Sequence, residues 1–349
     1  MAVYDNPDFT ALPASLAALF ACAAERSFFS LPIWYHVLAH YGTARGATPR
    51  IYADDGGRAA LVCLLASPQA RGLTSLTNYY STEHAPLCGA SGSELGSAFA
   101  GIAADLAAER FDCVRLGSLN PAADYFAPLR DAFAAAGWAV HPFFDSGLWY
   151  EPTGGLDFAR YVEARPTQLR NTWRRKLKAL ETSKRGAFAF YDDARRIDDG
   201  VAAYERVYAD SWKGGEPYPE FMPHLIRAAA SIGALRLGIL AIDGAPAAAQ
   251  CWILWDGRAT IYKLAHATPF DDLSLGTILT MAMMERVLDR DRPREVDFGR
   301  GDDAYKKSWL GQRRERWGLF LANPRTLRGR AMAWREAAAG LVRRAARRD

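Results

Sequence analysis

The sequence predicts an α/β (α+β) chain of two similar units, each a mixed, mostly antiparallel sheet flanked by helices, with a basic helix at the end. Three observations lead there. Both halves run hairpin, strand, helix, strand, helix, strand. Their hairpins display turn chemistry, Asp54-Asp55-Gly56-Gly57 in the first half and Asp243-Gly244 and Asp256-Gly257 in the second. Between the halves, Glu151-Pro152-Thr153-Gly154-Gly155 suits a bend and no core. The expected spans are 1–155, 156–322 and 323–349, and 349 residues exceed the usual single-domain size.

Taken in order, 13–24 and 32–41 carry helical periodicity, the second with Ile33, Val37, Leu38 and Tyr41 on one face behind Pro32. A hairpin over 50–53 and 59–66 leads to a strand at 73–79 and the polar aromatic loop Asn78-Tyr79-Tyr80-Ser81-Thr82-Glu83-His84. An alanine-rich helix at 93–109, a strand at 112–116, a helix at 125–136 closed by Gly137 and an extended run at 138–150 complete the first half. In the second half, 170–181 is a helix whose stripe is Trp173, Leu177 and Leu180. Arg170, Arg174, Arg175, Lys176 and Lys178 surround that stripe, as either a solvated face or a basic wall toward an anionic donor or lipid head group. Helices at 197–212 and 220–232 meet at Ser211-Trp212-Lys213-Gly214-Gly215, where Trp212 either lines a substrate pocket or plugs a gap between helices. Strands at 235–242, 248–255 and 259–266 precede a helix that starts behind Ser274 as N-cap and runs to about 290. A short strand at 295–298, a polar glycine-rich run at 299–309 and a strand at 314–321 close the unit.

The tail sets Leu327, Ala331, Trp334, Ala338, Leu341 and Ala345 on one helical face, with Arg328, Arg330, Arg335, Arg343, Arg344, Arg347 and Arg348 around it. This pattern suits an anionic membrane surface, where each basic residue adds about 1 kcal/mol. It also suits a terminal helix packed on its own domain with a solvated arginine face.

Composition removes several classes. A net charge of +4 makes no global case for binding DNA. Five cysteines without ligand spacing read as reduced thiols of a cytoplasmic protein. The N-terminus lacks the basic start of a signal peptide, and no apolar run reaches the roughly 20 residues that span a bilayer. There is no G-x-S-x-G elbow, Walker loop, dinucleotide fingerprint or H-E-x-x-H motif. His36 and His40 sit at helical i, i+4 spacing without a third ligand nearby, so no metal is expected.

Two stretches carry a resemblance. Leu275-Gly276-Thr277-Ile278-Leu279 and Asp297-Phe298-Gly299-Arg300-Gly301-Asp302-Asp303-Ala304-Tyr305-Lys306-Lys307-Ser308-Trp309 resemble the GNAT acyltransferase superfamily. The likeness is to the branch of CelD-type cellulose-biosynthesis proteins, related to Fem-type peptidoglycan aminoacyltransferases. It holds over about 170–320 and is loose before that. It implies tandem GNAT-like domains, the first degenerate and the second catalytic, with coenzyme A held at Ser274, Leu275, Gly276 and Thr277. A helix start suits that task, because its amides lack intrahelical partners and sit at the positive end of the dipole. The superfamily signature has a second glycine or alanine that this chain lacks.

Amide formation from a thioester also needs a base, an oxyanion donor and a proton for the departing thiolate. Strand alternation puts Tyr262, Leu264 and His266 on one face. An imidazole can take up a proton near neutral pH, so His266 is the candidate base, or else a hydrogen-bonded structural residue at a strand end. Tyr262 is a candidate acid or an aromatic filling the sheet surface. A splayed sheet would free a backbone N–H near 264–266 as the oxyanion donor. Asp302 is a candidate to bind or deprotonate an ammonium group, Lys306 to balance negative charge and Tyr305 to act as acid; the alternative is a loop in which Asp302 caps a short helix. Tyr79, Tyr80, Trp212 and Asp297 complete the expected site as substrate contacts.

The expected function is an N-acyltransferase moving an acyl group from acyl-CoA to a primary amine by direct attack, with no permanently bound cofactor. Acceptors in view are a lipid amine such as a sphingoid base, as in a ceramide synthase-like reaction, and an envelope or polysaccharide precursor, with the chain at the inner face of the membrane. A Fem-type transferase using aminoacyl-tRNA is the alternative that brings tRNA as partner. A non-catalytic GNAT-fold component of a membrane polysaccharide synthase is the other.

Overall fold

The computed structural model describes residues 1–345, with side chains through Ala339. Of the expected basic face, Arg347 and Arg348 lie outside the described residues, as do the side chains of Leu341, Arg343, Arg344 and Ala345. The chain divides into two compact units, unit 1 (Met1–Ser146 with Glu315–Asp349) and unit 2 (Gly147–Arg314).

The chain begins with β1 (Ala2–Asp5), α1 (Ala14–Ala24), α2 (Pro32–Tyr41), β2 (Thr48–Ala53), β3 (Ala59–Leu65), β4 (Gly72–Ser75), β5 (Leu87–Cys88), α3 (Gly92–Ala108), β6 (Cys113–Leu119) and α4 (Phe126–Ala135). It passes into unit 2 within β7 (Ala139–Pro152) and continues as α5 (Phe158–Glu163), α6 (Thr167–Ser183), β8 (Gly186–Tyr191), α7 (Ile197–Ala209) and α8 (Phe221–Ser231). There follow β9 (Leu235–Ile242), β10 (Ala245–Trp255), β11 (Arg258–His266), α9 (Leu275–Arg286), β12 (Glu295–Asp297), β13 (Gln312–Ala322) and α10 (Leu327–Ala345).

The two units repeat one topology. In unit 1 the strands run β1-β2-β3-β4-β6-β13, antiparallel except for the parallel β4–β6 pair, with β5 on β3. In unit 2 they run β8-β9-β10-β11-β12-β7, antiparallel except for the parallel β11–β12 pair. Each sheet therefore ends on a strand from the other half of the chain. For that reason the observed units differ from the expected spans: 147–155 groups with unit 2 and 315–322 with unit 1.

The expected hairpins and most helices form near their sequence boundaries. Two edge strands, β1 and β8, escaped the sequence reading because short, half-exposed strands leave weak alternation. The expected strand at 73–79 stops at Ser75. Unit 2 lacks the second helix of the expected repeat, and a single 3-10 turn at Ala304–Ser308 stands there instead. The helix expected to reach 290 ends at Arg286 and gives way to a π turn over Val287–Asp291.

The core of unit 2 decides where its chemistry sits. Leu275, Ile278, Leu279, Met281, Met283 and Met284 of α9 are all buried in one cluster with Trp252 and Ile261 of the sheet. A helix enclosed on nearly every side shows little amphipathic patterning. Gly238 in β9 lets it come close, since a Cβ there would collide with the Met283 sulfur.

Candidate functional site

The site grows from a gap in unit 2. Strand β12 pairs with β11 only from Arg258 to Thr260, whereas β11 runs on to His266. Beyond Thr260 one edge of β11 has no strand beside it among the described residues. Ala267 N–H donates to the Ala247 carbonyl at 2.8 Å, so in the β10–β11 ladder Ala265 and Lys263 also face β10. The alternate residues Leu264 and His266 then point both backbone groups at the open edge. The Leu264 carbonyl accepts from Lys213 Nζ at 2.5 Å. The amides of Leu264 and His266 have no partner among the described residues. Sequence could not show this splay.

His266 closes the end of that edge. Its Nε2 lies 3.0 Å from Asp271 Oδ1, and Trp212 packs on its ring with centroids 4.3 Å apart. Nδ1 faces the start of α9, where a Cβ built on Gly276 would stand 3.7 Å away. Trp212 is held there by the bridge between Ser211 and Ala267 and stays exposed, so it lines the site rather than plugging helices.

The start of α9 is only part of the expected anion cradle. Ser274 adopts φ 56°, ψ 41° and caps with no side-chain bond, which corrects its reading as an ordinary N-cap. Its own amide donates to the Asp271 carbonyl, and the Thr277 amide donates back to the Ser274 carbonyl. Those two amides are spent. The amides of Leu275 and Gly276 remain without a partner among the described residues. The Gly276 carbonyl is fixed by Thr280 Oγ1 at 2.7 Å and Gln250 Nε2 at 3.2 Å, while Gln250 Oε1 accepts from Trp252 Nε1. Lys176 of the basic helix α6 donates to the Asp272 carbonyl just upstream, whereas Arg174, Arg175 and Lys178 are solvated.

Sequence reasoning named the loop after α7 for Trp212 and missed its charged residues. Lys213 hangs over the open edge, and Lys263 pairs with Glu216 at 3.1 Å with both side chains nearly buried. Dehydration by the surrounding protein and the Lys263 ammonium push Lys213 down to about 8, and the charges of Lys306 and Asp303 also reach it. Its side chain nonetheless meets solvent. The Gly214-Gly215 pair after Trp212-Lys213 was the available signal.

Several expected roles change. At Tyr262 the β10–β11 register slips by one residue, which breaks the alternation expected for Tyr262, Leu264 and His266. Tyr262 is half-buried and lies within electrostatic reach of the buried Tyr204 of α7. Asp297 is inside the fold. Its oxygens take Gly299 N–H at 2.7 Å and Thr260 Oγ1 at 3.3 Å, and Arg314 lies 3.5 Å away, so it anchors the glycine turn rather than meeting a substrate. Burial raises its pKa, with Arg258 and Arg314 opposing. Asp302 is bound by Arg313 at 2.7 Å, which holds its carboxyl below the usual range and makes it a poor base. Nor does it cap the turn that follows, where Asp303 is the N-cap residue. Lys306 is buried and donates to the Arg300 and Gly301 carbonyls and Asp303, each at 3.1 Å, which fills its three N–H donors. Tyr305 is half-exposed, packs edge-on against Phe298, and is pushed up to about 12 by burial and Asp303. Tyr79 and Tyr80 belong to unit 1, where Tyr80 is 2 % exposed and only Tyr79 is open to solvent.

Residues 167–307 match the family model of an acetyltransferase (GNAT) domain. Most of unit 2 is thus similar to a GNAT domain. Among curated proteins none matches this sequence. Solved structures with the same architecture include FemX, at 10% identity and TM-score 0.60 over 92% of this chain and 97% of that one. The structure of L-PGS from Bacillus licheniformis is similar at 9% identity and TM-score 0.57, over 91% and 94%. A tandem GNAT protein from the clavulanic acid biosynthesis pathway is similar at 14% identity and TM-score 0.52, over 92% and 98%. These likenesses, with the repeated topology, give the fold as tandem GNAT units, and the domain match supports a transferase. No helix of the described residues is long and apolar enough to cross a membrane.

Proposed function

We propose that the chain is an N-acyltransferase of the CelD-type branch, moving an acyl group from acyl-CoA to a primary amine by direct attack. The observation that carries this reading is the open edge of β11, where the Leu264 amide has no partner among the described residues and stands beside the Lys213 ammonium. An unpaired amide on a rigid strand is a preorganised donor for the oxyanion of a tetrahedral intermediate.

The pyrophosphate of the donor would lie on the Leu275 and Gly276 amides, with Lys176 nearby. His266 Nδ1 would take the proton of the attacking amine while Asp271 holds Nε2–H. The new C–N bond forms, the C–S bond breaks, and the thiolate leaves with the electron pair. Proton supply to that thiolate favours Lys213. A thiol has a pKa of roughly 8.5, so an ammonium near 8 is matched to it, whereas a phenol near 12 can only offer a hydrogen bond. A cleft of about 640 Å³ along α9 has apolar walls from Trp173, Leu177, Phe188, Phe190 and Ile278 and a charged rim of Glu181, Glu285, Arg286, Asp289 and Arg290, which supports a donor or acceptor that joins an apolar chain to a charged group, such as a long-chain lipid amine.

The test is amine-dependent release of free thiol from acetyl-CoA and palmitoyl-CoA, with the amide product identified by mass spectrometry. Transfer from aminoacyl-tRNA alone would replace this reading by the Fem-type one, which the likeness to FemX over both units favours as the second choice. Failure with every donor would leave a non-catalytic component.

A further inference from the structure

The last helix presents its apolar stripe to solvent. Leu327 is 77% and Trp334 79% exposed, and Ala331 and Ala338 on the same face are exposed too. The opposite face does the docking to unit 1. Gly329 is buried so closely on the Asn323 carbonyl that a Cβ would collide with it, and Met332, Ala333 and Glu336 are half-buried. A terminal helix packed by its apolar side on its own domain, the bland reading of the tail, is therefore reversed.

At 100° per residue, Arg328 and Arg335 fall on one shoulder of the outward stripe and Arg330 on the other. Arg335 is 73% exposed with Glu336 3.9 Å away, and Glu336 is the only acid among the described side chains of α10. Leu327 and Trp334 stand two turns apart, about 10 Å along the axis. Two bulky groups projecting from a flat row, between arginine shoulders, match a planar fluid surface of negative charge rather than a shaped protein groove. The indole seats at the headgroup level and the arginine stems lie along the apolar boundary with their guanidinium groups on phosphate.

We propose that α10 is a docking element for anionic lipid, lying in the plane of the surface with Leu327 and Trp334 inserted. The full-length chain is sedimented with vesicles of phosphatidylcholine alone and of phosphatidylcholine with phosphatidylglycerol. Binding is expected only with phosphatidylglycerol, falling as salt rises. Trp334→Ser, and the triple variant Arg328→Gln, Arg330→Gln, Arg335→Gln, should each reduce it by about tenfold or more with the melting temperature unchanged. No binding, equal binding to both vesicles, or binding indifferent to Trp334→Ser would overturn the proposal. So would a dimer in light scattering that Trp334→Ser abolishes, which would make a second copy the occupant.

Discussion

Lys213 Nζ stands 2.5 Å from the carbonyl oxygen of Leu264, at the edge that β11 keeps after β12 has ended. Residues far apart in sequence thus put a cation, a free amide and an imidazole around one strand end. Each of the expectations below follows from that arrangement or from what supports it.

If Lys213 supplies the leaving-group proton, it must be protonated. Turnover should fall as pH rises through about 8. Lys213→Met should remove that limb of the pH profile and cost on the order of 10²-fold in kcat. An unchanged profile in the variant would exclude Lys213 from proton transfer.

His266→Gln should lower kcat by about 10²–10⁴-fold at constant melting temperature. Asp271→Asn should cost less, because it loosens the imidazole without removing it. Equal rates for His266→Gln and the parent chain would return His266 to a structural role.

Gly276→Ala separates binding from folding. The added Cβ meets only the His266 ring at ordinary contact distance, and alanine favours the helix by up to about 1 kcal/mol. The melting temperature should hold or rise while the KM for the acyl-CoA donor increases, because a methyl group narrows the approach to two amides. A donor KM that stays put argues against phosphate at this turn.

Glu216→Gln should be among the more damaging changes outside the core. Lys263 and Glu216 are 9% and 7% exposed at the side chain, and taking the carboxylate from such a pair costs about 3–5 kcal/mol. Adding Lys263→Met to Glu216→Gln should recover most of the loss in a chemical denaturation series; no recovery would mean the pair is not the cause.

Asp302→Asn should be nearly silent. Its ion pair with Arg313 is 40% and 34% exposed, and such pairs contribute about 0–1 kcal/mol. Steady-state kinetics showing a large fall in kcat would restore Asp302 to the mechanism that the sequence suggested for it.

Much of the fold was legible because it is written in local patterns. Asp243-Gly244 and Asp256-Gly257 marked both hairpins of unit 2, and both aspartates adopt the positive φ that such turns demand, 50° and 43°. Of the candidate site, His266, Gly276 and Trp212 do come together, because each stands at the end of an element whose limits the sequence shows. Lys306 was expected to balance charge and Asp297 to contact a substrate, and both are bonded within the fold. Whether a polar group is free or already bonded depends on neighbours such as Thr260 and Arg314 that only folding brings near.

By itself the sequence determined the alternation of strands and helices, the repeat of one unit, the glycine turns and the arginine-rich end. Tertiary structure decided the rest. The early end of β12 that frees the edge of β11, the slip at Tyr262 that breaks the strand's alternation, the loop that brings Lys213 to Leu264, and the outward roll of α10 are all outcomes of packing between distant segments. Patterns of period 2 or 3.6 say which face of an element is apolar; they carry no record of what another segment lays against it.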